Sequence, residues 1–126
     1  MKILALIARI LLGLAFVFFG LNGLLLFLKP GQMPPGQAGE FSTILMTSHW
    51  SQVVAVIQLV SGVLFLVNRF VPLALVLLGP VLVNILLFHI LLMPQGIVPG
   101  AVLTLCWLIV FVYHRAAFNS VFAARA

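Results

Sequence analysis

Residues 3–28 carry a single charge, Arg9, in a run otherwise broken only by Asn22 and glycines. A helix of about 20 apolar residues crosses the roughly 30 Å of hydrocarbon in a bilayer, so this run predicts a membrane span with some tilt. Lys2 stands before it, as a basic residue stands before a signal peptide. The run is too long for a signal h-region of about 7–15 residues and ends in no small-x-small cleavage site. An uncleaved span is the reading that fits.

Three more apolar segments follow, at 50–67, 71–93 and 97–113. Asn68-Arg69-Phe70 and Pro94-Gln95-Gly96 are connectors short enough to join only antiparallel neighbours. Pro72 falls in a first helical turn, where its missing N–H has no intrahelical partner to lose. The expected fold is therefore all-α, an integral membrane four-helix up-down bundle forming one transmembrane domain over 1–126. At about 20 residues per span, no room remains for a second soluble domain. Composition agrees: 65% of the chain is hydrophobic, mean hydropathy is +1.38 and only 6% is charged. Soluble domains are about 25% charged, so seven charged side chains could not coat a water-facing surface. A net charge of +5 would suggest nucleic acid if the chain were soluble. In a membrane chain the basic residues read as topology signals, and no nucleic-acid partner is expected.

The segment 29–49 is the one substantial loop. Its opening, Lys29-Pro30-Gly31-Gln32-Met33-Pro34-Pro35-Gly36, forbids continued helix. Phe41, Ile44 and Leu45 then recur at helical spacing among serines and threonines. That pattern predicts a short amphipathic helix over 40–48, on the membrane surface or folded back over the bundle. Lys2, Arg9, Arg69, Arg115 and Arg125 fall on one side of the predicted spans and Lys29 alone on the other. By the positive-inside rule both termini are cytoplasmic and the 29–49 loop faces outward. The expected location is the bacterial inner (plasma) membrane, with Trp50 and Tyr113 at headgroup level.

Membrane helices associate through close contact of small residues and a few polar bonds, because lipid tails are as apolar as leucine. Arg9, Gly13, Phe16, Gly20 and Gly23 lie at steps of four and three along the first span. Ala55, Gln58, Gly62 and Phe65 do so on the second, Leu73, Leu77, Pro80 and Asn84 on the third, and Gly100, Thr104, Trp107 and Phe111 on the fourth. These stripes are expected to face the bundle interior. Pro80 removes the hydrogen bond to the Val76 carbonyl and is expected to kink the third helix, as proline does in ordinary membrane-helix architecture.

The polar residues gather toward one side. Asn22, Gln52, Gln58, Asn84 and His89 occupy the middle or outer half of their spans, with Glu40 and His49 just outside. Polar side chains inside a bilayer usually face the bundle, so an outward-opening pocket holding His89, Asn84, Gln58, Asn22, His49 and Glu40 is the candidate ligand site. The competing reading is interhelical hydrogen bonding. His89 can hydrogen-bond a carbonyl such as that of a quinone. Haem is disfavoured, since His49 is the one histidine at similar depth that could pair with it. A single carboxylate, Glu40, excludes paired-carboxylate catalysis and a carboxylate-rich metal site within one chain. Cys106 is the only cysteine, so no intrachain disulfide and no dithiol can form. No Ser/His/Asp set, P-loop or dinucleotide fingerprint is present. The chain therefore does not read as a stand-alone enzyme.

The stretch Arg9-Ile10-Leu11-Leu12-Gly13-Leu14-Ala15-Phe16-Val17-Phe18-Phe19-Gly20-Leu21-Asn22-Gly23 resembles the opening helix of the DoxX-like family of small bacterial membrane proteins. Gln58-Leu59-Val60-Ser61-Gly62-Val63-Leu64-Phe65-Leu66 resembles that family's second helix, and Asn68-Arg69-Phe70-Val71-Pro72-Leu73 with Asn84 and Phe88-His89 continues the likeness. The resemblance implies a four-helix membrane bundle associated with redox systems, including quinone-linked oxidation. It places Arg9, Gly13, Gly20, Gln58 and Gly62 at motif positions. Two departures stand out: Gly23 where many members have lysine, and neutral Gln58 where many have glutamate. The expectation is an accessory redox-associated membrane protein that binds a quinone or another apolar ligand, with a membrane or periplasmic redox protein, or a second copy of itself, as partner. A small transporter or lipid-handling protein and a purely structural subunit are the alternatives.

Overall fold

The computed structural model describes residues 2–25 and 35–124. Lys29, the remainder of 26–34, and Arg125 fall outside the described residues. Among those described the chain is helical and has no strand. The long helices are α1 (Lys2–Leu25), α3 (Trp50–Val67), α4 (Val71–Leu91) and α5 (Ile97–Tyr113), with a shorter α2 (Gln37–Thr47) between the first two. Single turns of 3-10 helix, Pro94–Gly96 and Arg115–Phe118, bracket α5. Four segments are long and apolar enough to cross a membrane: Lys2–Leu25, Trp50–Val67, Val71–Leu91 and Pro94–Tyr113.

Helix α1 packs most extensively on α3 and next on α5, while α4 packs on α3 and α5, so the four long helices form a ring with α1 opposite α4. Backbone approach is closest between α1 and α3. A Cβ placed on Gly62 would lie 2.6 Å from the Val17 nitrogen and 2.9 Å from the Gly13 carbonyl oxygen. One on Gly20 would lie 2.7 Å from the Leu59 nitrogen. Gly13 faces Gly62 and Leu66, and Gly23 faces Ala55, so α1 and α3 run in opposite directions. The small side chains matter because dispersion contacts and close packing, rather than transfer out of water, hold such helices together.

Leu12 and Phe16 of α1, Phe65 of α3, Leu75 and Leu78 of α4, and Val110 of α5 fill the centre of the ring. The turn between α3 and α4 is a Schellman motif. Asn68 takes a left-handed conformation (φ 56°), its N–H donates to Phe65 O and the Arg69 N–H donates to Leu64 O. Phe70 is left-handed as well (φ 54°), an uncommon conformation for a bulky residue, and its carbonyl opens α4 by accepting from Ala74 N.

Three boundaries and one face differ from the sequence expectation. Helix α2 begins at Gln37, not 40, and ends at Thr47, with Ala38 and Gly39 buried, because small residues let its first turn sit against the protein. Helix α4 stops at Leu91, where the chain turns into Pro94–Gly96. The expected end of the first span at residue 28 lies outside the described residues. The stripe Leu73, Pro80 and Asn84 is exposed on the outside of α4, and Val71, Ala74, Leu75, Leu78, Val81 and Leu82 face inward instead. Helix α4 is apolar all round, so polar exceptions do not mark its inner side. Asn84 satisfies itself by donating from Nδ2 to Pro80 O at 2.9 Å, on its own helix.

Candidate functional site

The residues expected to form an outward pocket do not line the α4–α5 cavity described below. His89 is half-buried in the last turn of α4, where Nδ1 lies 3.2 Å from Met93 O. A carbonyl can only accept, so Nδ1 is the donor in this contact. The ring fits against the following turn because residue 96 is glycine: a Cβ there would lie 2.8 Å from His89 Cε1. Phe88 meets His89 edge-on (centroids 5.3 Å) and Phe41 of α2 on its other side (5.8 Å), so α2 rests across this end of the bundle.

Asn84 points outward, whereas Gln58 is half-buried on the α3 face that meets α1. Asn22 is half-buried near the end of α1. Glu40 and His49 are exposed; His49 occupies the left-handed residue before α3 (φ 64°). Among the described residues no group of three His, Cys, Asp or Glu side chains could hold a metal ion.

A cavity lies between α4 and α5. Gly79, Leu82, Val83 and Leu86 form one wall and Thr104, Trp107 and Leu108 the other, around about 180 Å³ of half-open space. Its polar atoms are turned away. Trp107 Nε1 donates to Leu75 O at 3.0 Å, and Thr104 Oγ1 donates to Gly100 O at 2.8 Å. What remains is an apolar channel open to the side. Enclosed sites for drug-sized ligands occupy about 300–1,000 Å³, so this space suits a narrow hydrocarbon chain rather than a macrocycle such as haem. The sequence carried a faint signal for it in Gly79, whose missing side chain leaves room before Trp107; a Cβ there would stand 3.5 Å from the indole.

The opposite end of the bundle is basic. Arg9 of α1 donates from Nη1 to Phe65 O, the carbonyl that also accepts from Asn68 N–H. An α-helix ends in partial negative charge, and the guanidinium meets it in the last turn of α3. His114, just past α5, has its pKa pushed below the ordinary histidine value by burial and, second, by the charge of Arg9. Arg115 donates from Nη1 to Val112 O at 3.0 Å, and Arg69 is exposed in the α3–α4 turn. No salt bridge to a carboxylate is available here: the sole acidic residue, Glu40, lies on α2 at the other end. No family model, curated protein or solved structure matches the chain.

Proposed function

We propose that this chain is an accessory, non-catalytic protein of a bacterial inner membrane that holds the isoprenoid chain of a quinone, or a similarly apolar chain, in the α4–α5 channel. The observation that carries this reading is the channel itself, narrow, apolar and laterally open, with Trp107 on its wall. The resemblance of residues 9–23 and 58–66 to the DoxX-like family supplies the redox association. In this reading the bundle runs up-down-up-down with both termini cytoplasmic, and a membrane or periplasmic redox protein is the partner. His89, whose Nε2 is not engaged by the Met93 carbonyl, stands at the outer end of α4 and is one residue able to meet a polar headgroup there.

Trp107 makes the proposal measurable. A Trp50→Phe variant leaves Trp107 as the sole indole, and ubiquinone added to proteoliposomes is expected to quench it saturably. In Trp50→Phe/Gly79→Leu the added side chain fills the channel, and the saturable component is expected to vanish. Equal quenching in both variants would mean collision from the bilayer and would remove the site.

A lipid-handling role is the second reading, favoured by the lack of any polar atom facing the channel. Co-purifying phospholipid lost on Gly79→Leu, without saturable ubiquinone quenching, would select it.

A further inference from the structure

We propose that Arg9, together with Arg69 and Arg115, binds the phosphate of an anionic phospholipid headgroup at the end of the bundle where α3 turns into α4. The inference starts from donor accounting. A guanidinium offers five N–H donors in a rigid fork, and Arg9 spends one of its nitrogens on Phe65 O. No other hydrogen bond from Arg9 is formed among the described residues, and no carboxylate stands near it. Arg9 is half-buried seven residues into α1, about 10 Å along the helix at 1.5 Å per residue. A charge so placed needs further partners.

The bond to Phe65 fixes the depth of the guanidinium. Phe65 is in the last turn of α3, which ends at Val67, so Arg9 lies level with the turn that carries Arg69. Headgroups are therefore within its reach although Arg9 itself belongs to a membrane span. Helix α5 packs on α1 and ends at Tyr113, so Arg115, in the turn that follows, is at the same end of the bundle as the N-terminal half of α1. Arg9 in α1, Arg69 in the α3–α4 turn and Arg115 just past α5 lie at the same end of the bundle, where no acidic side chain stands among the described residues. A phosphate oxygen complements the unused N–H groups of Arg9 in a fork-to-oxyanion pairing, and each arginine near an anionic surface adds about 1 kcal/mol of attraction, a factor of about five. A merely solvated basic rim would not bury its central guanidinium against a helix end.

The full-length protein is reconstituted in nanodiscs of phosphatidylglycerol and phosphatidylcholine, released into native mass spectrometry, and its retained lipids are counted. The wild type is expected to keep phosphatidylglycerol in excess of the disc composition. Arg69→Gln/Arg115→Gln, both at exposed positions, should lower that enrichment by roughly fivefold or more, and Arg9→Gln should abolish it. Arg9 also caps α3, so Arg9→Lys is made alongside: it keeps the charge and loses the fork, and is expected to restore part of the enrichment. Retention in proportion to disc composition, or undiminished enrichment in the Arg69/Arg115 double variant, would overturn the proposal. Displacement of the lipid by inorganic phosphate at low millimolar concentration would overturn it too, by assigning the site to a soluble anion.

Discussion

A guanidinium in a membrane helix and an imidazole beyond the last span share one corner of this protein, and the charge of the first makes the second harder to protonate. His114 is harder to protonate in the folded chain than in the unfolded one, first because it is partly buried and second because Arg9 is cationic. The native state thus binds that proton less readily, and the stability linked to it is present above the ordinary value of about 6.5. It is lost as the pH falls through the lowered folded value. Thermal midpoints in detergent should therefore drop on acidification from about pH 7.5 to 5.5, and drop less in His114→Asn. Parallel acid-side slopes for the two proteins would refute this linkage. Sequence made Arg9 conspicuous, because charge is rare in an apolar run. It did not reveal His114 as a neighbour, since that contact depends on where α5 ends relative to α1.

Among the elements, the α1–α3 pair and the α4–α5 pair use glycine in opposite ways. At Gly62 the space for a Cβ is taken by backbone atoms of α1, which cannot move without parting the helices. Gly62→Ala is expected to destabilise the fold by about 1–3 kcal/mol, whereas Gly79→Ala, with the Trp107 ring at 3.5 Å, should be close to neutral. Unfolding in mixed micelles of rising SDS content measures both, and equal midpoints for the two variants would contradict the packing account. The glycines that recur at helical spacing in residues 13–23 are those at which the helices meet, because a small residue is informative wherever its neighbours are all large. Helix α4 was less legible for the converse reason. Apolar on every side, it has no periodicity to give away its inner face, and Pro80 with Asn84 forms a polar pair closed within one helix. The α4–α5 channel was hidden for a related reason, since it is built by an absent side chain at Gly79 on α4 and the tilt of an indole 28 residues later.

At the scale of the whole molecule, the basic side chains and helix α2 lie at opposite ends. Arg9, Arg69, His114 and Arg115 collect at one, and α2 with Phe41, Phe88 and His89 at the other. If the basic end faces the cytoplasm, a fluorescent protein fused after Ala126 should fluoresce and alkaline phosphatase fused there should stay inactive. The reverse pattern would invert the orientation and set the basic corner against the outer leaflet. Four spans were countable from hydropathy alone, while the ring order of the helices was not, because nothing in an apolar sequence says which neighbour is diagonal.

The Arg9 clasp also has a history in time. Its acceptor lies 56 residues downstream, so a ribosome adding about 5–20 residues per second delivers it roughly three to ten seconds after Arg9 itself. During that interval headgroups and water are the partners within reach of the guanidinium. The arrival of α3 then supplies the carbonyl that holds Arg9 in place, so the clasp between the two helices closes only after the second has been made.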